Sequence, residues 1–320
     1  MTAIVYQPTA IIPTAEQSAI QSLKHKRVLV EANAGAAKTT TLALRVAQAL
    51  ARGAEPQRLL VLTYTAAAVQ AFFKALDLIG VSTPRRQGLR VQTFDAFCAH
   101  RLEDIEGSGV PFLATPEQLR THVLQATQTL LDDPRESHPQ ALWPHIGSEA
   151  AVESLLEAFA CLKGTLLLAM QSTQARFTPE SALAQWGQDY TVLRAFQRCE
   201  SQRHDPVADR AAYRTHGDAT CDLALRLIDD DAVFDDPHPL ALGLHLVVVD
   251  EMHDTNRAMF TVLQHVLRHN PRAAFVGVGD RDQVIHAVAG ADAAFMGSAF
   301  EAEIGPAVRM PLTASYRFGP

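Results

Sequence analysis

Three short stretches of this 320-residue sequence carry residue types suited to phosphate chemistry. The first is Ala32-Asn33-Ala34-Gly35-Ala36-Ala37-Lys38-Thr39-Thr40, a run of small residues leading into Lys-Thr-Thr. Small side chains let backbone N–H groups point at phosphate oxygens, a lysine reaches the outer phosphates, and a hydroxyl can ligate Mg²⁺. An Ala/Gly turn ahead of a helix is also common without any ligand. The second stretch is Asp250-Glu251, which ends the apolar run Leu246-Val247-Val248-Val249. One carboxylate there can sit beside a metal ion while the other orients or deprotonates a water. The same pair is equally an ordinary surface feature after a strand. The third is Gly279-Asp280-Arg281-Asp282-Gln283, a polar cluster following another apolar run. Polar residues at the carboxyl end of a parallel strand are where α/β sheets bind ligands.

These stretches need a scaffold that brings them together, and the patterning predicts one. Apolar runs at 27–33, 58–64, 89–93, 245–250, 273–278 and near 308–312 read as buried strands. Helical stretches follow near 39–52, 65–79, 94–103 and 256–268. Strands apolar throughout, each followed by a helix, predict an α/β fold with a parallel sheet covered on both faces. Residues 103–210 break that rhythm. Apolar residues at helical spacing over 117–131, 149–168 and 179–203 predict a helical insertion. The expected organisation is therefore one α/β domain, 1–102 plus 211–320, interrupted by a helical subdomain at 103–210. A further helix near 221–228 precedes the acidic loop at 229–239, which reads as a solvated connection rather than a cation site.

Composition narrows the function classes. The hydrophobic share of 48% and charged share of 20% are ordinary for a globular protein. No apolar run is long enough for a membrane span, and the N-terminus has no secretory signal pattern. Cys98, Cys161, Cys199 and Cys221 are too scattered for a zinc site or a disulfide framework, so a reducing, cytoplasmic compartment is expected. A net charge of −7 gives no general basic surface, so a nucleic-acid partner would need a local patch.

Taken in order, the motifs resemble the UvrD/Rep-type superfamily 1 DNA helicases. Ala32–Thr39 resembles the family's AxAGxGKT loop, and Leu62-Thr63-Tyr64-Thr65-Ala66-Ala67-Ala68 its LTFTNKAA segment. Thr93-Phe94-Asp95-Ala96-Phe97 is similar to TFHSF, and Val249-Asp250-Glu251-Met252-His253-Asp254-Thr255-Asn256 to VDEFQDTN. Residues 279–286 with Gly290-Ala291 resemble GDPDQSIY and the Gly-Ala that follows. Leu312-Thr313-Ala314-Ser315-Tyr316-Arg317 resembles LxxNYR, with wording also like the F-box helicase branch. The resemblance covers nearly the whole chain except the helical insertion, which falls where the family has its 1B subdomain.

The resemblance implies a RecA-like P-loop NTPase sheet that uses ATP and Mg²⁺. It implies that Gln17 reads adenine and that Ala34, Gly35, Ala36, Ala37, Lys38, Thr39 and Thr40 cradle the phosphates. It gives Mg²⁺ to Thr39 and Asp250, base catalysis to Glu251, γ-phosphate sensing to Gln283 and the transition-state cation to Arg317. Single-stranded DNA is the implied partner, met by Thr63, Tyr64, Thr93, Phe94 and His286. The family continues into a second RecA-like lobe after the Tyr-Arg motif, so these 320 residues by themselves are expected not to unwind a duplex.

Several positions depart from the family pattern. Ala37 stands where the loop has glycine, and a Cβ costs about 1–2 kcal/mol if that position needs φ > 0. His253 replaces a glutamine. Ala66, Ala67 and Asp95 replace Asn, Lys and His, while His286 and Val288 stand where aromatics stack on bases. Tyr64 remains as a stacking platform. Two readings follow: a working helicase ATPase core that translocates 3′ to 5′, or a catalytically weakened helicase-derived lobe that serves as a docking or regulatory module.

Overall fold

The computed structural model describes residues 4–315 except 168–175, 206, 209, 230–237 and 285. The Tyr316-Arg317 motif and most of the acidic 229–239 loop lie outside the described residues. Along the chain the first elements are α1 (Ala15–Ser22), β1 (Arg27–Ala32), α2 (Lys38–Ala51), β2 (Leu59–Thr63), α3 (Ala66–Leu78), α4 (Thr83–Arg86), β3 (Arg90–Thr93) and α5 (Phe94–Glu106). There follow α6 (Pro116–Leu131), α7 (Glu149–Thr165), α8 (Pro179–Trp186), α9 (Tyr190–Arg203), the two-residue strands β4 (His204–Asp205) and β5 (Arg210–Ala211), and α10 (Asp218–Asp229). The last are β6 (Leu246–Val249), α11 (Arg257–His269), β7 (Ala274–Gly279), α12 (Ser298–Glu303) and β8 (Val308–Leu312).

Six strands form one sheet in the order β3-β2-β6-β7-β1-β8, and every pairing in it is parallel. This is the expected α/β fold with a RecA-like sheet. The strands read as apolar runs because both faces are covered. Val28, Val30, Val248, Val276 and Val278 join Leu42, Val46 and Phe72 in one core cluster on the side of α1–α3. Residues alternate between faces along a strand, so Phe275 points the other way and stacks on Phe300 of α12 at 5.1 Å. Parallelism has a functional consequence: all six carboxyl ends lie along one edge. That edge collects Asn33, Tyr64, Phe94, Asp250 and Asp280, each the residue that follows a strand.

The chain divides into two compact units, one of residues 1–97, 230–287 and 291–320, the other of 98–229 with 288–290. The second is helical, and its core joins Val123, Leu130, Leu155, Phe159, Leu162, Leu193 and Phe196. It runs to Asp229, where the sequence pattern ended the insertion at 210. The reason is ionic and spans long separations. Asp222 on α10 accepts from Arg203 (2.7 Å) and Arg214 (2.9 Å), and Glu106 on α5 pairs with Arg214 (2.6 Å) and Arg226 (3.1 Å). Lys163 on α7 meets Glu200 (3.1 Å) and Asp218 (2.5 Å). These charges are buried, which is tolerable only because each cation has carboxylate partners. Burial alone would raise the pKa of the Asp222 carboxyl, but Arg203 and Arg214 outweigh it and hold the value at about 2.

An acid whose pKa falls on folding stabilises the fold above its unfolded value of about 4. That contribution is lost as pH drops from there toward about 2. Asp222→Ala should therefore cost about 3–5 kcal/mol at pH 7, because it leaves two buried guanidiniums short of a partner. Urea unfolding of both proteins at pH 7 and pH 3 is the check, and the gap between them should narrow at the lower pH.

Candidate functional site

The loop after β1 is shaped by two residues in the left-handed region, Gly35 at φ 74° and Ala37 at φ 54°. Ala37 is the residue preceding α2, and no side chain caps that helix. The first backbone N–H groups of α2 therefore keep their capacity to bind an anion, with the positive end of the helix dipole behind them. The position that the family fills with glycine does require φ > 0 here, and alanine occupies it with strain. Thr41 holds the loop from behind. Its hydroxyl donates to the Ala37 carbonyl (3.1 Å) and accepts from the Gln17 side-chain amide (3.2 Å).

Gln17 is buried, and its side-chain oxygen accepts from the Thr14 backbone N–H (3.0 Å), closing a capping box on α1. The residue assigned to adenine by resemblance thus braces the phosphate loop in this structure. Thr41 carried no signal in the sequence, because its role depends on a contact 24 residues away.

Across the sheet edge, the carboxyl end of β6 brings Asp250 to Thr39, whose hydroxyl donates to Asp250 Oδ2 at 2.9 Å. Lys38 Nζ lies 3.0 Å from Glu251 Oε2. Thus the two motifs, more than 200 residues apart in sequence, meet through both of their paired residues. Asp250 is buried, and its carboxyl is pushed up to about 6 by that burial and by the neighbouring Glu251, against the opposing pull of Thr39 and Lys38. Thr39 and Asp250 supply the hard oxygen donors that Mg²⁺ prefers.

Glu251 is itself in the left-handed region, at φ 50°. The short helical turn that it opens, Met252–Asp254, lies against β7. Glycine at 277 and 279 makes this possible. A Cβ at Gly279 would stand 2.8 Å from the His253 backbone nitrogen, and one at Gly277 would collide with Met252 Sδ. His253, where the family has glutamine, is buried and locks the turn down: its Nδ1 accepts the Asp280 backbone N–H at 3.1 Å. That bond puts the ring proton on Nε2, which faces Asp254 Oδ2 at 3.6 Å. Gln283 follows in a turn that begins at Asp280, its backbone N–H bonded to the Asp280 carbonyl (3.0 Å).

The strand-end residues assigned to DNA divide by exposure. Thr63 and Phe94 are wholly inside, and the Thr93 hydroxyl caps α5 by accepting from Ala96 N–H (3.1 Å). His286 is exposed and Tyr64 half-buried with its hydroxyl enclosed, the two rings stacked nearly parallel at 5° with centroids 5.7 Å apart. A further link escapes the sequence. Glu16 on α1 accepts both the backbone N–H and the hydroxyl of Thr313 at 2.8 Å, which fastens the segment after β8 to the helix that carries Gln17.

Relieving the strain at Ala37 gives a direct test. Ala37→Gly should raise stability by about 1 kcal/mol in urea unfolding, since glycine enters φ > 0 without penalty. It should also tighten a non-hydrolysable ATP analogue in calorimetric titration. Equal or weaker binding would mean that the loop is adapted to alanine.

A family model of the UvrD/REP helicase N-terminal domain matches residues 13–302, which takes in the phosphate loop, the Asp-Glu pair and Gln283. No curated protein matches the chain. Among the described residues no helix is long and apolar enough to cross a membrane. With nine-tenths of its length matched and a six-stranded parallel sheet carrying the motifs, the chain belongs to the UvrD/REP helicase N-terminal domain family.

Proposed function

We propose that this chain is the ATP-hydrolysing core of a DNA motor that moves 3′ to 5′ along single strands together with a second RecA-like lobe. The observation that carries the reading is the double meeting of Lys38 with Glu251 and Thr39 with Asp250 at one sheet edge. Four groups with the chemistry of phosphoryl transfer converge there from two distant stretches of chain. Thr39 and Asp250 fit Mg²⁺, which when bound supplies charge neutralisation across the outer phosphate oxygens. Lys38 exchanges its ion pair with Glu251 for the β- and γ-phosphates. Glu251, released, accepts the proton of the attacking water. Gln283 senses the γ-phosphate, and Arg317 reaches the transition-state charge, a contribution worth about 10³–10⁵ in rate in related enzymes. Ala34 to Ala37 and Thr40 line the phosphates, and Gln17 reads adenine while bracing the loop through Thr41.

A second reading, a docking or regulatory lobe with little turnover, is favoured by the strained backbone at Ala37 and Glu251 and by His253. The same variants separate the two. Glu251→Gln should bind Mg²⁺·ATP as the parent does and hydrolyse it about 10²–10⁴-fold more slowly. Asp250→Asn should weaken Mg²⁺-dependent binding by about tenfold or more, since even outer-shell partners of a metal cost that much. A parent protein no faster than Glu251→Gln, in the presence of single-stranded DNA and the second lobe, would establish the docking role instead.

Contact with DNA is proposed at Tyr64, Thr93 and His286. An aromatic platform contributes about 1–3 kcal/mol per stacked base. Tyr64→Ala should therefore weaken single-stranded oligonucleotide binding by about tenfold or more in fluorescence anisotropy, with nucleotide affinity unchanged. An unaltered anisotropy curve would remove Tyr64 from the path of the strand.

A further inference from the structure

A second cationic site lies in the α/β unit at the opposite edge of the sheet from the nucleotide residues. A cavity of about 320 Å³ opens there, lined by Arg45, Ala49 and Arg52 on one face of α2, by Gly53 and Ala54 just after it, and by His245, Leu246 and Ala274 at the amino ends of β6 and β7. Arg45, Ala49 and Arg52 follow one another at i, i+4 and i+7, so they form a single stripe along the helix. Arg52 alone would be ordinary, because a cation at a helix carboxyl terminus is favourable. Arg45 is different: it sits seven residues upstream and is 7% exposed.

Among the described residues no carboxylate contacts Arg45. Its Nη1 donates to the Gln21 carbonyl at 3.0 Å, and its Nε is buried with no hydrogen-bond partner. Arg52 reaches only the Ser22 carbonyl, at 3.5 Å. Among the described residues neither arginine forms an ion pair with a carboxylate. Burial, and then the like charge of Arg52, both lower the Arg45 pKa, the reverse of the paired arginines in the helical unit. His245 adds a ring N–H donor. Its Nε2 is 3.4 Å from Arg58 Nη1, and since a guanidinium only donates, Nε2 accepts and the proton sits on Nδ1. A buried cation beside a second cation costs several kcal/mol unless an anion compensates it.

We propose that Arg45, Arg52 and His245 form a binding site for a small phosphate-class oxyanion, distinct from the phosphate loop at the other end of α2. Guanidinium forks match tetrahedral oxyanions bidentately. The cavity volume accommodates inorganic phosphate or pyrophosphate, and the apolar floor of Ala49, Leu246 and Ala274 strengthens each contact by excluding water. The bound anion ties the carboxyl half of α2 to the starts of β6 and β7, the same three elements that carry Lys38, Asp250 and Asp280 at their far ends.

The test measures thermal unfolding against phosphate, pyrophosphate and citrate at constant ionic strength, in a Lys38→Met background that disables the phosphate loop. Phosphate also stabilises proteins non-specifically, so the variants carry the argument. The expected result is a saturating rise in Tm of about 2–5 °C with phosphate or pyrophosphate. It should be lost in Arg45→Met and shifted to about tenfold higher concentration in Arg52→Gln. Arg45→Met should itself be no less stable than its parent in chloride alone, since it removes an uncompensated buried charge. Arg52 is exposed, so its variant folds regardless. A response that disappears with Lys38→Met, persists unchanged in Arg45→Met, never saturates, or appears with citrate but not phosphate overturns the proposal.

Discussion

The approach of the Asp250–Asp254 turn to β7 constrains everything else at the sheet edge. Glycine at 277 and 279 removes the two side chains that would hold this turn away from the strand, and His253 then fastens it through the Asp280 N–H. The turn fixes where the backbone leaves β6, and so where the Asp250 and Glu251 carboxylates stand relative to Thr39 and Lys38. The glutamine-to-histidine change therefore keeps a hydrogen-bonding role at this position, with a ring that has one acceptor and one donor pointing opposite ways.

Much of the fold was legible in the sequence because buried parallel strands are apolar on both faces. Runs such as Leu59–Thr63 and Leu246–Val249, short and apolar throughout, read directly as strands covered on both faces. The phosphate loop and the Asp-Glu pair were legible because their chemistry is local to a few consecutive residues. What escaped was set by contacts across long separations. The helical unit reaches Asp229 through ion pairs between α5, α7, α9 and α10, and no periodicity reports those. Thr63 and Phe94 sit in motifs that resemble DNA-contacting segments, yet they close the core where strands end. Their neighbours Tyr64 and Thr93 are half-buried, since successive residues at a strand end face opposite ways.

The two units manage charge by contrasting means. In the helical unit, Lys163, Arg203, Arg214 and Arg226 are matched by Glu106, Glu200, Asp218 and Asp222, so buried charges specify which helices meet. In the α/β unit, charge at the sheet edge is left unbalanced or strained. Asp250 carries a raised pKa, while Ala37 and Glu251 hold unfavourable backbone angles. Such tension concentrates at functional positions because binding relieves it.

The joint between Glu16 and Thr313 gives the sheet a mechanical property. Glu16 neighbours Gln17, which reaches Thr41, which grips the Ala37 carbonyl. The segment after β8 is thus joined through α1 to the loop before α2, along a path only a few hydrogen bonds long. The joint is exposed, so water competes for it and it yields before the sheet does.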